Sequence, residues 1–123
     1  MHELSVCQAL LTQVTTIAMS RGASAVQRIA IEVGPLCGVE PALLVRAFEV
    51  LRIGSCAAQA VLSIESPPIS IRCRSCDAQS RAEPNRLVCS ACGDFRTHVV
   101  SGDELRLRRV ELRFSEPVAA SVH

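Results

Sequence analysis

A chain of 123 residues has the length of one domain with room for a small satellite, which excludes a multidomain enzyme. Thirteen basic residues against 12 acidic ones leave a net charge of +1, spread along the chain, so neither nucleic acid nor an anionic membrane is an expected partner. Apolar residues are 49% of the chain but aromatics only 2%, so the core must come from Leu, Val, Ile and Ala, and no aromatic platform exists for stacking bases.

From Leu4 onward, apolar residues recur at Cys7, Leu10, Leu11, Val14, Ile17 and Ala18, one stripe of an α-helix that Arg21-Gly22 ends. This uncharged segment is interrupted by Gln8, Thr12, Gln13, Thr15 and Thr16 and preceded by Glu3. It has neither the basic start nor the greasy run of a signal peptide, and the expectation is a soluble, cytoplasmic protein. Val26 to Val33 alternates, with Ile29, Ile31 and Val33 on one face and Arg28 and Glu32 on the other, as a half-buried strand does. Glu40-Pro41 then opens a second helix, in which Leu43, Leu44, Ala47, Phe48 and Leu51 recur up to Gly54. Val61 to Glu65 reads as a short strand closed by Ser66-Pro67-Pro68.

Near the C-terminus Leu105 and Leu107 alternate with charged residues, and so do Val110, Leu112 and Phe114, but the parity slips at Arg108-Arg109. A β-bulge there would return both apolar sets to one face and let this strand pair in the first sheet.

Seven cysteines are an odd number, too sparse for a secreted disulfide scaffold, and four of them form Cys73-Arg-Ser-Cys76 and Cys89-Ser-Ala-Cys92 with 12 residues between. Each C-x-x-C turns two sulfurs toward one point, and a hairpin bringing the pairs together makes the tetrahedron that Zn²⁺ accepts. An iron-sulfur cluster or a redox C-x-x-C are the alternatives, but a redox pair normally stands alone at a helix start. Ile69, Ile71, Leu87, Val88 and Phe95 are too few to fold such a module, so metal must supply the rest. Four protein ligands leave no open position for catalysis. Cys7 reads as core packing, and Cys37 and Cys56 as free thiols in loops.

The fold class is therefore α+β: a small mixed sheet with two helices, formed by 1–68 and 102–116, and an inserted zinc-ribbon-like unit over 69–101, with 117–123 as a tail.

Met1-His2-Glu3 opens the chain. A terminal amine, the deprotonated amide of residue 2 and the Nδ1 of His2 can close two chelate rings in one plane, a nitrogen field suited to Ni²⁺ or Cu²⁺ rather than Zn²⁺. Glu3, another side chain, water or a partner would complete the square. The alternative is a frayed polar end, with Glu3 favourable at a helix N-terminus. His98 and His123 lack ligand spacing and read as solvated. Glu40 reads as a carboxylate at a helix start or as an outer ligand to the N-terminal metal.

Three features in this order, namely Met1-His2-Glu3-Leu4-Ser5, Gly38-Val39-Glu40-Pro41 with Ala47-Phe48-Glu49-Val50-Leu51, and the paired C-x-x-C followed by Gly102-Asp103-Glu104-Leu105-Arg106, give the chain its resemblance. It resembles the HypA/HybF family of hydrogenase nickel-incorporation proteins over nearly its whole length. The resemblance implies a nickel metallochaperone and no enzyme. Nickel would be bound at Met1, His2 and Glu3 with an acidic contribution at Glu40, and structural zinc at Cys73, Cys76, Cys89 and Cys92. The implied partners are the maturation GTPase HypB and the large-subunit precursor of a [NiFe]-hydrogenase; some members also serve urease. Some relatives have a histidine just after a C-x-x-C pair, where this chain has Asp77 and Gly93. A zinc-ribbon interaction scaffold without transferable nickel is the competing class of function.

Overall fold

The computed structural model describes residues 2–115; Met1, His123 and the expected tail at 117–123 lie outside the described residues. The elements are α1 (Glu3–Ser20), β1 (Ala25–Val33), α2 (Pro41–Leu51), β2 (Val61–Glu65), β3 (Ile69–Cys73), β4 (Gln79–Ala82), β5 (Thr97–Ser101) and β6 (Leu105–Arg113).

Helix α1 buries Glu3, Cys7, Leu10, Leu11, Val14 and Ala18. Leu4, placed on the buried stripe by periodicity, is 52% exposed, because Glu3 takes the inward position one turn before Cys7. The helix ends where Gly22 turns left-handed at φ +69°, its N–H donating to the Met19 carbonyl and that of Ala23 to the Ala18 carbonyl. In α2 the inward residues are Leu44, Ala47 and Phe48, while Leu43 faces solvent rather than the core.

Strand β1 lies between β2 and β6, parallel to the first and antiparallel to the second. The β1–α2–β2 crossover and the returning β6 make the mixed sheet. One core joins Cys7, Leu10 and Val14 of α1, Ile29 and Ile31 of β1, and Leu44 and Phe48 of α2, with Leu105, Leu107, Val110 and Leu112 of β6 packed against it. Burial of a side chain of this size is worth about 1.5–3 kcal/mol, which is how so few aromatics suffice. The parity slip is a bulge: Ala30 opposes Arg109 and Ile31 opposes Leu107, so no residue of β1 stands opposite Arg108. A second irregularity leaves Gln27 extra between the Val26–Leu112 and Arg28–Glu111 pairs, so that Val26 is buried although it is out of phase with Ile29, Ile31 and Val33.

Strands β4, β3 and β5 form a separate antiparallel sheet in that order. It joins the first sheet at two glycines. The N–H of Leu36 donates to the Gly102 carbonyl and that of Gly34 to the Glu104 carbonyl, each at 2.8 Å. A Cβ on Gly34 would strike the Gly102 carbonyl, and one on Gly102, itself at φ +104°, would lie 2.8 Å from the Ile69 Cα.

Candidate metal centre

Each C-x-x-C forms the same turn. The N–H of Cys73 donates to the Ala78 carbonyl and the N–H of Asp77 back to the Cys73 carbonyl, at 2.9 and 3.1 Å. In the second pair the N–H of Cys89 donates to the Asp94 carbonyl and that of Gly93 to the Cys89 carbonyl, at 2.9 and 2.8 Å. The residue after each pair is left-handed, Asp77 at φ +61° and Gly93 at φ +80°. That conformation suits Gly and, among other residues, Asp and Asn.

The two turns face one another across the module. The Sγ atoms of Cys73 and Cys92 are 3.5 Å apart, those of Cys76 and Cys89 3.6 Å, and all four lie within 4.8 Å. A tetrahedron with Zn–S bonds of about 2.3 Å has edges of about 3.8 Å, so the donor set fits such a cation. Cys73 and Cys89 are buried, and Cys76 and Cys92 exposed.

Electrostatics point the same way. The Cys92 amide, above all, pulls the Cys89 thiol down to about 6, and the Cys76 amide lowers that of Cys73. For Cys92 the Asp94 amide acts downward, but the sulfurs of Cys73, Cys76 and Cys89, together with burial, outweigh it and push the thiol up to about 12. Cys76 is also raised: the Ala78 amide acts downward, but the Cys89 sulfur, burial and the Cys73 sulfur outweigh it. Four sulfurs this close cannot all ionise without a cation among them; a divalent metal removes that conflict.

A polar lock absent from the sequence reading fastens the turns together. Ser75 of the first donates its hydroxyl to the Asp94 carboxylate beyond the second, and Arg96 donates to Asp94 at 2.9 Å and to the Ser75 Oγ at 3.3 Å. The Arg96 guanidinium, and then Ser75, hold the Asp94 carboxyl well below the usual carboxylate range. The available signal was the Asp94-Phe95-Arg96 run one residue beyond the second C-x-x-C. His98 stands exposed on β5, opposite Arg72.

At the start of α1 His2 is exposed and its carbonyl accepts the Val6 N–H at 2.9 Å. Its imidazole Cε1 lies 3.8 Å from where a Cβ on Gly38 would stand, so the turn before α2 runs alongside. Glu3 is 6% exposed and accepts the Glu40 N–H on Oε2 at 3.0 Å. That amide is the largest cause of a Glu3 carboxyl held at about 2. Glu40 is the N-cap residue of α2, with an exposed side chain that makes no capping bond. The fold thus brings His2, Glu3 and the segment 38–40 together, although among the described residues only the four cysteines form a converged set of three or more metal donors. Cys7 is fully buried in the core and its thiol raised by burial. Cys37 and Cys56 are half-buried free thiols, the latter 3.7 Å from the Thr15 hydroxyl.

Comparison with known proteins agrees with this arrangement. The family model described as "Hydrogenase/urease nickel incorporation, metallochaperone, hypA" matches residues 1–112. A hydrogenase maturation factor HypA of Nitrosospira multiformis is 44% identical over 112 residues, covering 91% of this chain and 97% of its own. The corresponding protein of Aquifex aeolicus is 36% identical over the same shares. The solution structure of the Ni metallochaperone HypA from Helicobacter pylori superposes with a TM-score of 0.68 at 26% identity, over 94% of this chain and 100% of that one. These relatives are maturation factors and not catalysts. The chain belongs to the HypA family of hydrogenase nickel-incorporation metallochaperones.

Proposed function

We propose that this chain carries Ni²⁺ as cargo at its N-terminus and hands it to the large-subunit precursor of a [NiFe]-hydrogenase, with the GTPase HypB as partner, in the cytoplasm. The observation that carries the reading is the exposed His2 imidazole at the mouth of α1, beside the 38–40 turn that Glu3 fastens in place. The Met1 amine, the His2 amide nitrogen and its Nδ1 would form the planar set, with Glu3 or the exposed Glu40 carboxylate nearest the remaining position. Because the Glu40 amide already occupies one Glu3 oxygen, the role of Glu3 is to position the turn as much as to ligate. Nickel at so open a site can exchange its ligands one at a time with an acceptor.

The resident metal in this reading is Zn²⁺, held by Cys73, Cys76, Cys89 and Cys92. Bound there it supplies folding free energy and no open coordination position. Residues 69–101 then act as an inserted zinc unit, and 1–68 with 102–116 as the nickel-binding unit.

Nickel titration by calorimetry with optical spectra tests the proposal on three proteins: the chain with a free Met1 amine, its N-acetylated form, and His2→Ala. The free-amine chain is expected to bind one Ni²⁺ with a square-planar spectrum; the other two are expected to lose that site while keeping one zinc. Equal nickel affinity in all three overturns the N-terminal site. One zinc and no selective nickel uptake in any of them favours the interaction scaffold instead.

A further inference from the structure

The helices and core occupy one side of the β2–β1–β6 sheet, and the other side carries charge. Since Ile31, Leu62, Ile64, Leu107, Val110 and Leu112 pack on the core, alternation sends their strand neighbours outward. The outward rows are Glu65–Glu32–Arg106, Ser63–Ala30–Arg109 and Val61–Arg28–Glu111, with Arg113 beyond them opposite Ala25. The bulge turns Arg108 to the same side, where it meets Glu32 at 2.6 Å.

Charges that look dispersed in the sequence are thereby gathered. Glu32 is shared by Arg106 and Arg108, and Glu111 by Arg28 and Arg109, the longer contacts being 3.7 and 3.8 Å. One carboxylate between two guanidiniums leaves unused donors, since a guanidinium offers five N–H groups, and although Glu65 on β2 offsets the Glu32 cluster, β6 itself carries Arg106, Arg108, Arg109 and Arg113 against Glu111 on this side. The excess lies along β6, an edge strand of nine residues whose only strand neighbour among the described residues is β1.

An open edge invites another strand, and its side chains decide which. A second copy pairing edge to edge would set one arginine row against the other. An extended segment with a carboxylate at every second residue would repeat at about 6.8 Å, the period of a regular strand, and would meet the donors of Arg106, Arg108, Arg109 and Arg113, while Glu111, the one carboxylate of β6 on this side, is already held by Arg28 and Arg109. We infer that the free edge of β6 and its arginine face receive an extended acidic segment of a partner polypeptide. This docking surface is independent of the nickel site, so either can fail alone.

The test uses the full zinc-loaded chain and a fluorescein-labelled peptide alternating Glu and Thr over nine residues, the length of β6. Anisotropy is expected to report binding that weakens with added salt, and nitrogen-15 spectra are expected to shift at the amides of β6. A Lys-Thr peptide of equal length is expected not to bind. The Arg109→Glu/Arg113→Glu variant, with zinc content and circular dichroism unchanged, is expected to lose about tenfold in affinity. Should that variant misfold, the shift map on the unaltered chain still decides. The inference is overturned by no binding, by equal binding of the Lys-Thr peptide, or by shifts confined to the arginines of the cysteine module. Duplex DNA competing as well as the acidic peptide also overturns it, since the face would then read any polyanion.

Discussion

Glu3 illustrates how one side chain can serve a site without being free to act in it. Buried at the first turn of α1 and bonded to the Glu40 amide, its carboxyl is held at about 2 against an ordinary 4.5. A group depressed in the folded state contributes stability that is complete above the unfolded value and is lost as pH falls through the folded one. Glu3→Gln is therefore expected to unfold at lower urea than the parent at pH 7, with the gap closing as pH falls from 4.5 toward 2. Urea midpoints by helix circular dichroism, both chains being compared at each pH, check this; a gap that persists undiminished at pH 2 contradicts it. The sequence offered Glu3 as a possible ligand and Glu40 as a helix start. Their bond joins side chain to backbone across 37 positions, and periodicity carries no information on such contacts. Asp77 and Gly93 make the complementary case, since they stand at the one left-handed position in each cysteine turn and their identities answer to backbone conformation.

Among the elements, β6 was the most legible in pattern and the richest in consequence. Its parity slip identified the bulge at Arg108, because a strand whose inward residues must all reach one core can change phase only by an unpaired residue. Deleting Arg108 would leave Leu105, Leu107, Val110 and Leu112 in strict alternation, and the strand should still pair. Deleting Glu111 would bring Val110 and Leu112 together and turn one of them out of the core, at a cost of about 1.5–3 kcal/mol. Urea denaturation of the two deletions ranks them: the expectation is a small change for the first and a large one for the second, and the reverse order would mean that the bulge itself holds the pairing. The irregularity at Gln27 had a fainter signal, since Val26 alone stands at the opposite parity from Ile29, Ile31 and Val33 and one residue does not establish a phase. The start of α1 misled for a similar reason. The stripe holds from Cys7 through Leu10, Leu11, Val14 and Ala18, and only Leu4 falls outside it, because the polar Glu3 takes the inward position one turn before Cys7.

At the scale of the whole molecule the two sheets differ in what holds them. The first has a core of buried aliphatics; the second has Ile69, Ile71 and the sulfur cluster, with Phe95 78% exposed. Chelation of the cysteine-bound metal is expected to collapse the amide spectrum of 69–101 while β1, β6 and both helices keep theirs, and readdition of Zn²⁺ to restore it. Loss of every amide signal at once would show that the two parts fold as one unit, a result the Gly34–Gly102 junction makes worth seeking. By itself the sequence determined the order of α1, β1, α2, β2, the four-cysteine module and β6, the bulge, and the family, since each is local or periodic: turn residues, alternation and ligand spacing act over a few residues at a time, whereas the three strands of the module itself had no such pattern. Only the tertiary structure decided that Glu3 fastens the 38–40 turn, that Ser75, Asp94 and Arg96 lock the cysteine turns, that two glycines join the sheets, and that scattered arginines share one face. These arise from residues far apart in the chain, and chain folding alone sets the distance between them.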